Sequence, residues 1–152
     1  MNAFASPASR QDAPSILWAH RKIPLAYGRH QCGRVAWTPQ PQSIPVESQL
    51  ESDWLTYLMH EGHLVAVHSQ PFSLMYVEDG VPHRYTPDLL CVFDRLSRAL
   101  LRLGFDYWTA VEVKPASRAD TDVVRRRLQA VHDQLGLATL CLTERGLPER
   151  RH

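Results

Sequence analysis

The stretch T-A-V-E-V-K-P, residues 109–115, places two opposite charges in an otherwise apolar strand. Side chains alternate across a strand, so Glu112 and Lys114 should share one face while Val111 and Val113 point to the other. If the strand is central, both charges need partners, because burying an unpaired charge is costly. If the strand lies at an edge, they are solvated charges or a structural ion pair.

Lys114 is unusual in this chain, because it and Lys22 are the only lysines among 17 basic residues. Lysine changes its proton affinity readily on burial, whereas arginine stays charged. A lysine inside an apolar strand of an arginine-rich protein therefore favours a functional role.

The segments before this strand predict one helix and three further strands. Residues 47–62 carry apolar side chains at helical spacing. Ser48 followed by Glu51 is typical of a capping box at a helix start, and Gly62 is a helix stop. Asp-Gly at residues 79–80 predicts a tight hairpin turn. The three strands are predicted at His63–His68, Phe72–Val77 and Arg84–Phe93.

Three elements complete the predicted domain. The strand that holds Glu112 spans Asp106–Val113, a helix follows at about residues 119–135, and a last strand spans Leu137–Leu142. Residues 94–105 fit either a short helix or a long hairpin. This order of elements predicts an α/β fold, with a mixed β-sheet flanked by helices.

The remaining segments surround one predicted domain at residues 20–145. Residues 1–19 are small, polar and Pro-bearing, and we expect them to be disordered. Residues 20–46 predict an edge strand or hairpin, and residues 146–152 form a tail. The short apolar pieces behind the hairpin prediction are Ile23–Tyr27 and Arg34–Trp37.

The composition predicts a cytoplasmic protein without a membrane segment. No apolar run approaches about eighteen residues, the N-terminus does not resemble a signal peptide, and the dispersed cysteines fit no disulfide framework. The net charge of +1 divides into +4 over residues 1–46, −5 over 47–116 and +2 over 117–152. An acidic centre between basic flanks suits a metal site that meets a polyanion, and ordinary surface scatter explains it equally well.

Asp88 is a candidate partner for the charges of the 109–115 strand. It follows Pro87, which removes a ladder donor, so the predicted strand should bend or lose pairing there. Carboxylates from adjacent strands can hold a divalent cation, while Lys114 orients or helps to deprotonate the attacking water. The alternative is a turn aspartate at a strand entry.

Glu51 is a further candidate at the start of the first helix. There it would hold another carboxylate over the metal, and its place in a capping box explains it equally well. Glu47, one turn earlier, is the competing candidate.

Four ordered motifs resemble the TnsA family, the endonuclease subunits of Tn-seven-like heteromeric transposases. The resemblance covers residues 20–142. It implies the PD-(D/E)XK restriction-endonuclease fold, a mixed β-sheet flanked by helices with an αβββαβ core. The motifs are V-E-S-Q-L-E (46–51), Q-P-F-S-L-M-Y (70–76), R-Y-T-P-D-L-L (84–90) and V-E-V-K-P (111–115).

The resemblance implies an endonuclease that uses Mg²⁺ or Mn²⁺ to hydrolyse DNA phosphodiester bonds, leaving a 5′-phosphate and a 3′-hydroxyl. Gln70 matches a Gln-Pro of the family and would support the site. The long interval between the two motif acids suggests an inserted helix or an extended hairpin. The catalytic positions implied are Glu51, Asp88, Glu112 and Lys114, and the metal positions are Glu51, Asp88, Glu112 and Val113.

In the transposon setting, such a subunit cuts the 5′ ends of the element in double-stranded DNA beside a transposase and a regulatory ATPase. Larger family members continue into a C-terminal domain that contacts DNA and the ATPase. This sequence ends soon after its last predicted strand, which leaves contact with those partners open.

Two other functions fit the same motifs. One is a standalone nuclease of repair, phage or defence systems, and the other is a non-catalytic DNA- or protein-binding subunit. Arg125, Arg126 and Arg127 on the second helix are either a solvated face or DNA phosphate contacts.

Overall fold

The computed structural model describes residues 15–18, 33–40 and 42–149. A short 3-10 turn at Glu144–Gly146 follows the last strand. In chain order the elements are β1 (Ser15–Trp18), β2 (Gly33–Val35), β3 (Ile44–Val46), α1 (Gln49–Glu61), β4 (Leu64–Ser69), β5 (Phe72–Glu78), β6 (Val81–Tyr85), β7 (Leu89–Phe93), α2 (Arg98–Leu103), β8 (Trp108–Val113), α3 (Ala116–Ala119), α4 (Asp122–Leu135) and β9 (Ala138–Leu142).

The largest sheet has four strands in the order β4-β7-β8-β9. β7 runs antiparallel to both β4 and β8, whereas β8 and β9 are parallel and are joined through α4. β8, which carries Glu112 and Lys114, therefore has a neighbour on each side, so its charges do not lie on an edge strand. The mixed α/β architecture predicted from the sequence is confirmed.

α1 packs against one face of this sheet. It begins at a capped end, where the Ser48 hydroxyl accepts a hydrogen bond from the Glu51 N–H at 3.1 Å, and Gly62 ends it with a positive φ of 83°. Trp54, Leu55 and Leu58 of its apolar stripe are completely buried. This stripe shares the main core with side chains of all four strands of the sheet, including Val111 and Val113.

A second core lies on the opposite face. Ala110 of β8 belongs to it, together with buried residues of α4 and of the β5–β6 hairpin. Neighbouring residues of β8 thus enter different cores, which confirms the alternation predicted for this strand. The members of the second core are Phe72, Leu74, Tyr85, Ala110, Val124, Leu128 and Val131.

The strand predicted at Arg84–Phe93 is two strands in two different sheets, and pairing is lost at Pro87 as the sequence indicated. β6 pairs with β5, whereas β7 pairs with β4 and β8, and the residues between β6 and β7 belong to no ladder. Pro87 lies in this break, where it cannot donate a ladder hydrogen bond, as expected. The turn prediction is confirmed, since Asp79 and Gly80 both have positive φ between paired strands.

The segments before α1 add two further strand pairings. Ser15–Trp18, within the stretch predicted to be disordered, forms β1 and pairs antiparallel with β5. The rest of residues 1–19 and the apolar piece Ile23–Tyr27 lie outside the described residues. The hairpin expected around Arg34–Trp37 is present as β2 paired with β3.

The ambiguous segment 94–105 contains the short helix α2, which accounts for the long interval between the motif acids. The helix predicted at about residues 119–135 is present as α4, which begins at Asp122 because the Thr121 hydroxyl caps it by accepting from the Val124 N–H; the short α3 precedes it. Gly136 ends α4 in the left-handed conformation, as predicted. Within the described part of the chain, no helix has the length and hydrophobicity to cross a membrane.

Burial predicts very different effects for the same substitution at two leucines. Leu58→Ala removes a completely buried side chain from the main core, and we expect the free energy of unfolding to fall by about 2–5 kcal/mol. Leu101→Ala removes a side chain that is 56% exposed, so a change within about 0.5 kcal/mol is expected. Urea denaturation checks both variants, and equal losses would contradict this packing.

Candidate functional site

One end of the central sheet brings together the polar residues of three strands. The antiparallel register pairs Leu89 with Val111, so the next pair along these strands is Asp88 and Glu112. On the other side of β7, the Gln70 N–H donates to the Asp88 carbonyl at 2.9 Å. Gln70, Asp88 and Glu112 therefore lie in one row at this end of the sheet.

Asp88 is tied to the end of β8 by its side chain. Its Oδ2 accepts a hydrogen bond from the Val113 N–H at 2.8 Å. Burial, reinforced by repulsion from Glu112 and Glu51, raises the pKa of Asp88 to about 8, although the Val113 N–H and Lys114 act in the opposite direction. The protein thus holds Asp88 where its charged form needs further compensation.

Glu51 reaches the same place from the start of α1. Its carboxylate is buried, and Oε2 accepts a hydrogen bond from the Glu47 N–H at 2.6 Å. The Ser48 hydroxyl therefore caps the helix, as the capping-box pattern predicts. The short hydrogen bond to the Glu51 carboxylate is donated by the Glu47 N–H. Burial raises the pKa of Glu51 to about 7, and the charges of Glu47 and Glu112 add to this effect.

Glu47, Glu51 and Asp88 form an acidic cluster. Each contributes a carboxylate oxygen, and these oxygens all lie within 4.8 Å of one another. The sequence left Glu47 and Glu51 as alternatives for the carboxylate at the helix start, whereas the fold brings both beside Asp88. Glu112 is close enough to repel Asp88 and Glu51, but it does not belong to this cluster.

Glu112, which is buried, instead forms an ion pair with the partly exposed Lys114. Its Oε1 lies 3.4 Å from Lys114 Nζ, and its Oε2 accepts a hydrogen bond from the Tyr85 hydroxyl at 2.5 Å. The predicted shared face of Glu112 and Lys114 is thus present as an ion pair. The assignment of Glu112 and of Val113 to a metal stays a prediction.

Gln70 joins the cluster through its side chain. Its Nε2 donates to Glu47 Oε1 at 2.6 Å, and its Oε1 is a buried atom without a hydrogen-bond partner. The backbone at Gln70 has a positive φ of 46°. A buried amide oxygen without a partner is unfavourable unless a further group satisfies it.

The donor set of this cluster fits a hard divalent cation. Three carboxylates and a nearby amide oxygen are the ligand types that Mg²⁺ and Mn²⁺ prefer. A cation would also offset the repulsion that raises the pKa values of Glu51 and Asp88. The residues present therefore suit the metal implied by the motifs.

The three arginines of α4 have different surroundings. Arg125 pairs with Asp120 and Asp122, and Arg126 lies 3.7 Å from Glu78. The Arg127 guanidinium lies over the ring of Tyr85, 5.7 Å from its centroid, and the hydroxyl of this tyrosine donates to Glu112. Contact of these arginines with DNA stays a prediction.

The sequence did not predict the hydrogen bond from the Tyr85 hydroxyl to Glu112, nor that Glu47 and Glu51 lie together beside Asp88. A signal existed for Glu47, because it directly precedes the predicted helix cap and so lies near the helix start with Glu51. A signal also existed for Tyr85, since a tyrosine in an apolar strand needs a partner for its hydroxyl. Neither pattern identifies that partner without the tertiary structure.

A scan of the sequence against protein-family models finds no match, and a search of curated proteins finds no significant match.

The raised pKa values predict how stability depends on pH. The pKa of Glu51 rises from 4.5 to about 7 and that of Asp88 from 3.8 to about 8, so the folded protein holds these protons more tightly than the unfolded chain. Stability from these groups is complete below about pH 4 and is lost as the pH rises through about 7–8. Across that window, the free energy of unfolding of the metal-free protein should receive a falling contribution from these two groups.

Chemical denaturation across the window checks this prediction against matched variants. Asp88→Asn should flatten the pH dependence, because the amide does not titrate, whereas Asp133→Asn on the exposed side of α4 should leave it unchanged. Identical pH profiles for wild type and Asp88→Asn would contradict the burial of this carboxyl group.

Proposed function

We propose that this protein is a divalent-cation-dependent DNA endonuclease of the PD-(D/E)XK type. The observation that carries the proposal is the acidic cluster of Glu47, Glu51 and Asp88, whose carboxylate oxygens lie within 4.8 Å of one another. It lies at the same end of the sheet as the Glu112–Lys114 pair. Carboxylates that share a cation beside a lysine are suited to phosphodiester hydrolysis.

The topology supports the restriction-endonuclease-like part of the proposal. A mixed sheet of four strands has α1 on one face and α4 on the other, and the acidic residues come from the start of α1 and from the two central strands. This arrangement agrees with the αβββαβ core implied by the motifs, with the β5–β6 hairpin as an addition outside the main sheet.

Glu47, Glu51 and Asp88 would hold the cation, with Gln70 Oε1 as an additional oxygen donor. A bound Mg²⁺ or Mn²⁺ ion supplies Lewis-acid polarisation of the scissile phosphate and neutralises developing charge.

Lys114 is the residue proposed to position the attacking water. Its side chain is 35% exposed while its partner Glu112 is buried, so the amine is anchored from within the protein and still reaches solvent. Such an anchored amine can orient a water or contact a phosphate oxygen without losing its place. Arg127, over the Tyr85 ring, is proposed to contact the DNA backbone beside it.

The transposition setting is part of the proposal and rests on the four ordered motifs. In that setting the chain is a TnsA-type subunit that cuts 5′ transposon ends with a transposase and a regulatory ATPase. A requirement for a transposase in cleavage of transposon ends would support this setting. Efficient cleavage of plain duplex DNA by the isolated chain would favour a standalone nuclease.

The proposal predicts metal-dependent cleavage that one substitution abolishes. With Mn²⁺ or Mg²⁺, the protein should cut double-stranded DNA and leave a 5′-phosphate and a 3′-hydroxyl. Asp88→Asn removes a carboxylate of the cluster and should lower the cleavage rate by at least about 100-fold. Asp133→Asn, the same change on the exposed side of α4, should retain the wild-type rate.

The cleavage assay is read together with cation binding measured by calorimetry. No cleavage with either cation and with candidate partners present, together with no cation binding, would leave the DNA- or protein-binding subunit as the better account. Undiminished cutting by Asp88→Asn would contradict the proposed site.

A further inference from the structure

A groove of about 450 Å³ lies along β4, the edge strand of the main sheet. Ser69 and Pro71, which flank Gln70 in sequence, line it, and so does Pro45, two residues before Glu47. Because Gln70 Nε2 donates to Glu47 Oε1 at 2.6 Å, the groove adjoins the acidic cluster. Its volume lies in the range of about 300–1,000 Å³ that is usual for sites that hold small organic groups.

Trp108 lines the same groove from the start of β8. It is 55% exposed, although tryptophan is a residue that typically buries its large ring in a core or at a binding surface. It lies four residues before Glu112, which is about 13 Å along a strand that rises about 3.3 Å per residue. A DNA strand whose phosphate reaches the acidic cluster can therefore place a neighbouring base at Trp108.

The polar groups of the groove suit the edge of a base. The described residues that line it include no aspartate, glutamate, lysine or arginine. Gln42, His68 and Ser69 make no side-chain hydrogen bond to other residues in the described part of the chain, so their donors and acceptors are open to a ligand. Arg34 adds a cation at the rim, because its guanidinium donates to the hydroxyl of the lining residue Ser43 at 2.6 Å and to its carbonyl at 3.0 Å.

A strand of a partner protein is the other occupant that a sheet edge can take. Such a strand needs the outward N–H groups of β4, but the Val67 N–H already donates to Gln40 Oε1 at 2.9 Å. The side chain of Gln40 thus takes the place of a strand partner. The groove also continues from the proposed cation site and presents no carboxylate that would repel a polyanion, so these observations favour nucleic acid over a peptide.

We propose that this groove is a subsite for an unpaired nucleobase beside the cleavage position, with Trp108 as its stacking platform. An unpaired base offers its faces and its pairing edge, whereas a base within a duplex is already stacked and paired. The inference rests on the proposed endonuclease function for its place beside the cation. It adds the substrate class, which is DNA with unpaired nucleotides next to the cut. Gln42 and His68 would contact the base edge, and Arg34 the backbone phosphate.

DNA binding measured by fluorescence anisotropy tests the proposal independently of cleavage. Two labelled duplexes differ only in whether a short run of nucleotides in one strand is unpaired, and both are titrated in Ca²⁺, which takes oxygen ligands. The wild-type protein should bind the duplex with the unpaired run more tightly by at least about fivefold. Trp108→Ala should weaken that complex by about 5-fold to 100-fold, the range for loss of one stacked base, and leave the affinity for the paired duplex within about twofold.

Two further variants are the controls. Trp108→Phe keeps an aromatic ring and should retain the wild-type affinity within about threefold. Tyr107→Ala changes the adjacent residue, which is 51% exposed and does not line the groove, and should leave both affinities unchanged. In cleavage with Mn²⁺, Trp108→Ala should raise the KM for the unpaired substrate and keep kcat within about threefold, because Trp108 lies away from the scissile phosphate.

The outcomes distinguish this inference from the proposed function. Equal wild-type affinity for the two duplexes, equal losses on both duplexes in Trp108→Ala, or no rescue by phenylalanine would overturn the inference and leave Mn²⁺-dependent cleavage in place. Unchanged DNA binding by Trp108→Ala, together with loss of a complex with a transposase, would assign the groove to a peptide and also overturn it. Selective binding of the unpaired duplex through Trp108 by a protein that neither binds Mn²⁺ nor cuts DNA would support the nucleobase subsite and overturn the endonuclease.

Discussion

The burial of several carboxylates at one end of the central sheet is the constraint on which the rest of the site depends. Glu51 and Asp88 are removed from water and repel each other and Glu112, so the pKa values of both rise well above their ordinary range. Folding tolerates this arrangement because the N–H groups of Glu47 and Val113 donate to the two carboxylates. A proton or a cation must supply the remaining compensation, which connects the stability of the fold to the proposed chemistry.

The fold creates this constraint at the ends of its elements. Pro87 interrupts the chain between two sheets, so Asp88 lies just before β7 and outside its ladder. Its side chain can therefore accept from the Val113 N–H, which lies beyond the part of β8 that pairs with β7. α1 begins close by, where its first turn contributes Glu51 and the residue before its N-cap contributes Glu47. Backbone donors that regular structure leaves unused at these ends are therefore available to buried carboxylates.

Much of the fold could be predicted from local pattern, because alternation in β8, the cap at Ser48 and the turn at Asp79 each depend on a few neighbouring residues. The pattern failed where tertiary pairing decided the outcome. Pro87 indicated a break within Arg84–Phe93, but only the strand partners show that the two halves belong to different sheets. For the site, strand alternation predicted the Glu112–Lys114 pair, whereas the joining of Glu47 to Asp88 and of Tyr85 to Glu112 depends on contacts between residues far apart in sequence.

The central claim is that Glu47, Glu51 and Asp88 share one cation beside the Glu112–Lys114 pair. Anomalous diffraction from a crystal soaked in Mn²⁺ tests it most directly, because it locates the ion independently of activity. The account predicts one peak at coordination distance, about 2.1 Å, from oxygens of Glu47, Glu51 and Asp88, with the Tyr85–Glu112 hydrogen bond intact. A peak remote from these three carboxylates, or no peak at the cluster, would contradict it.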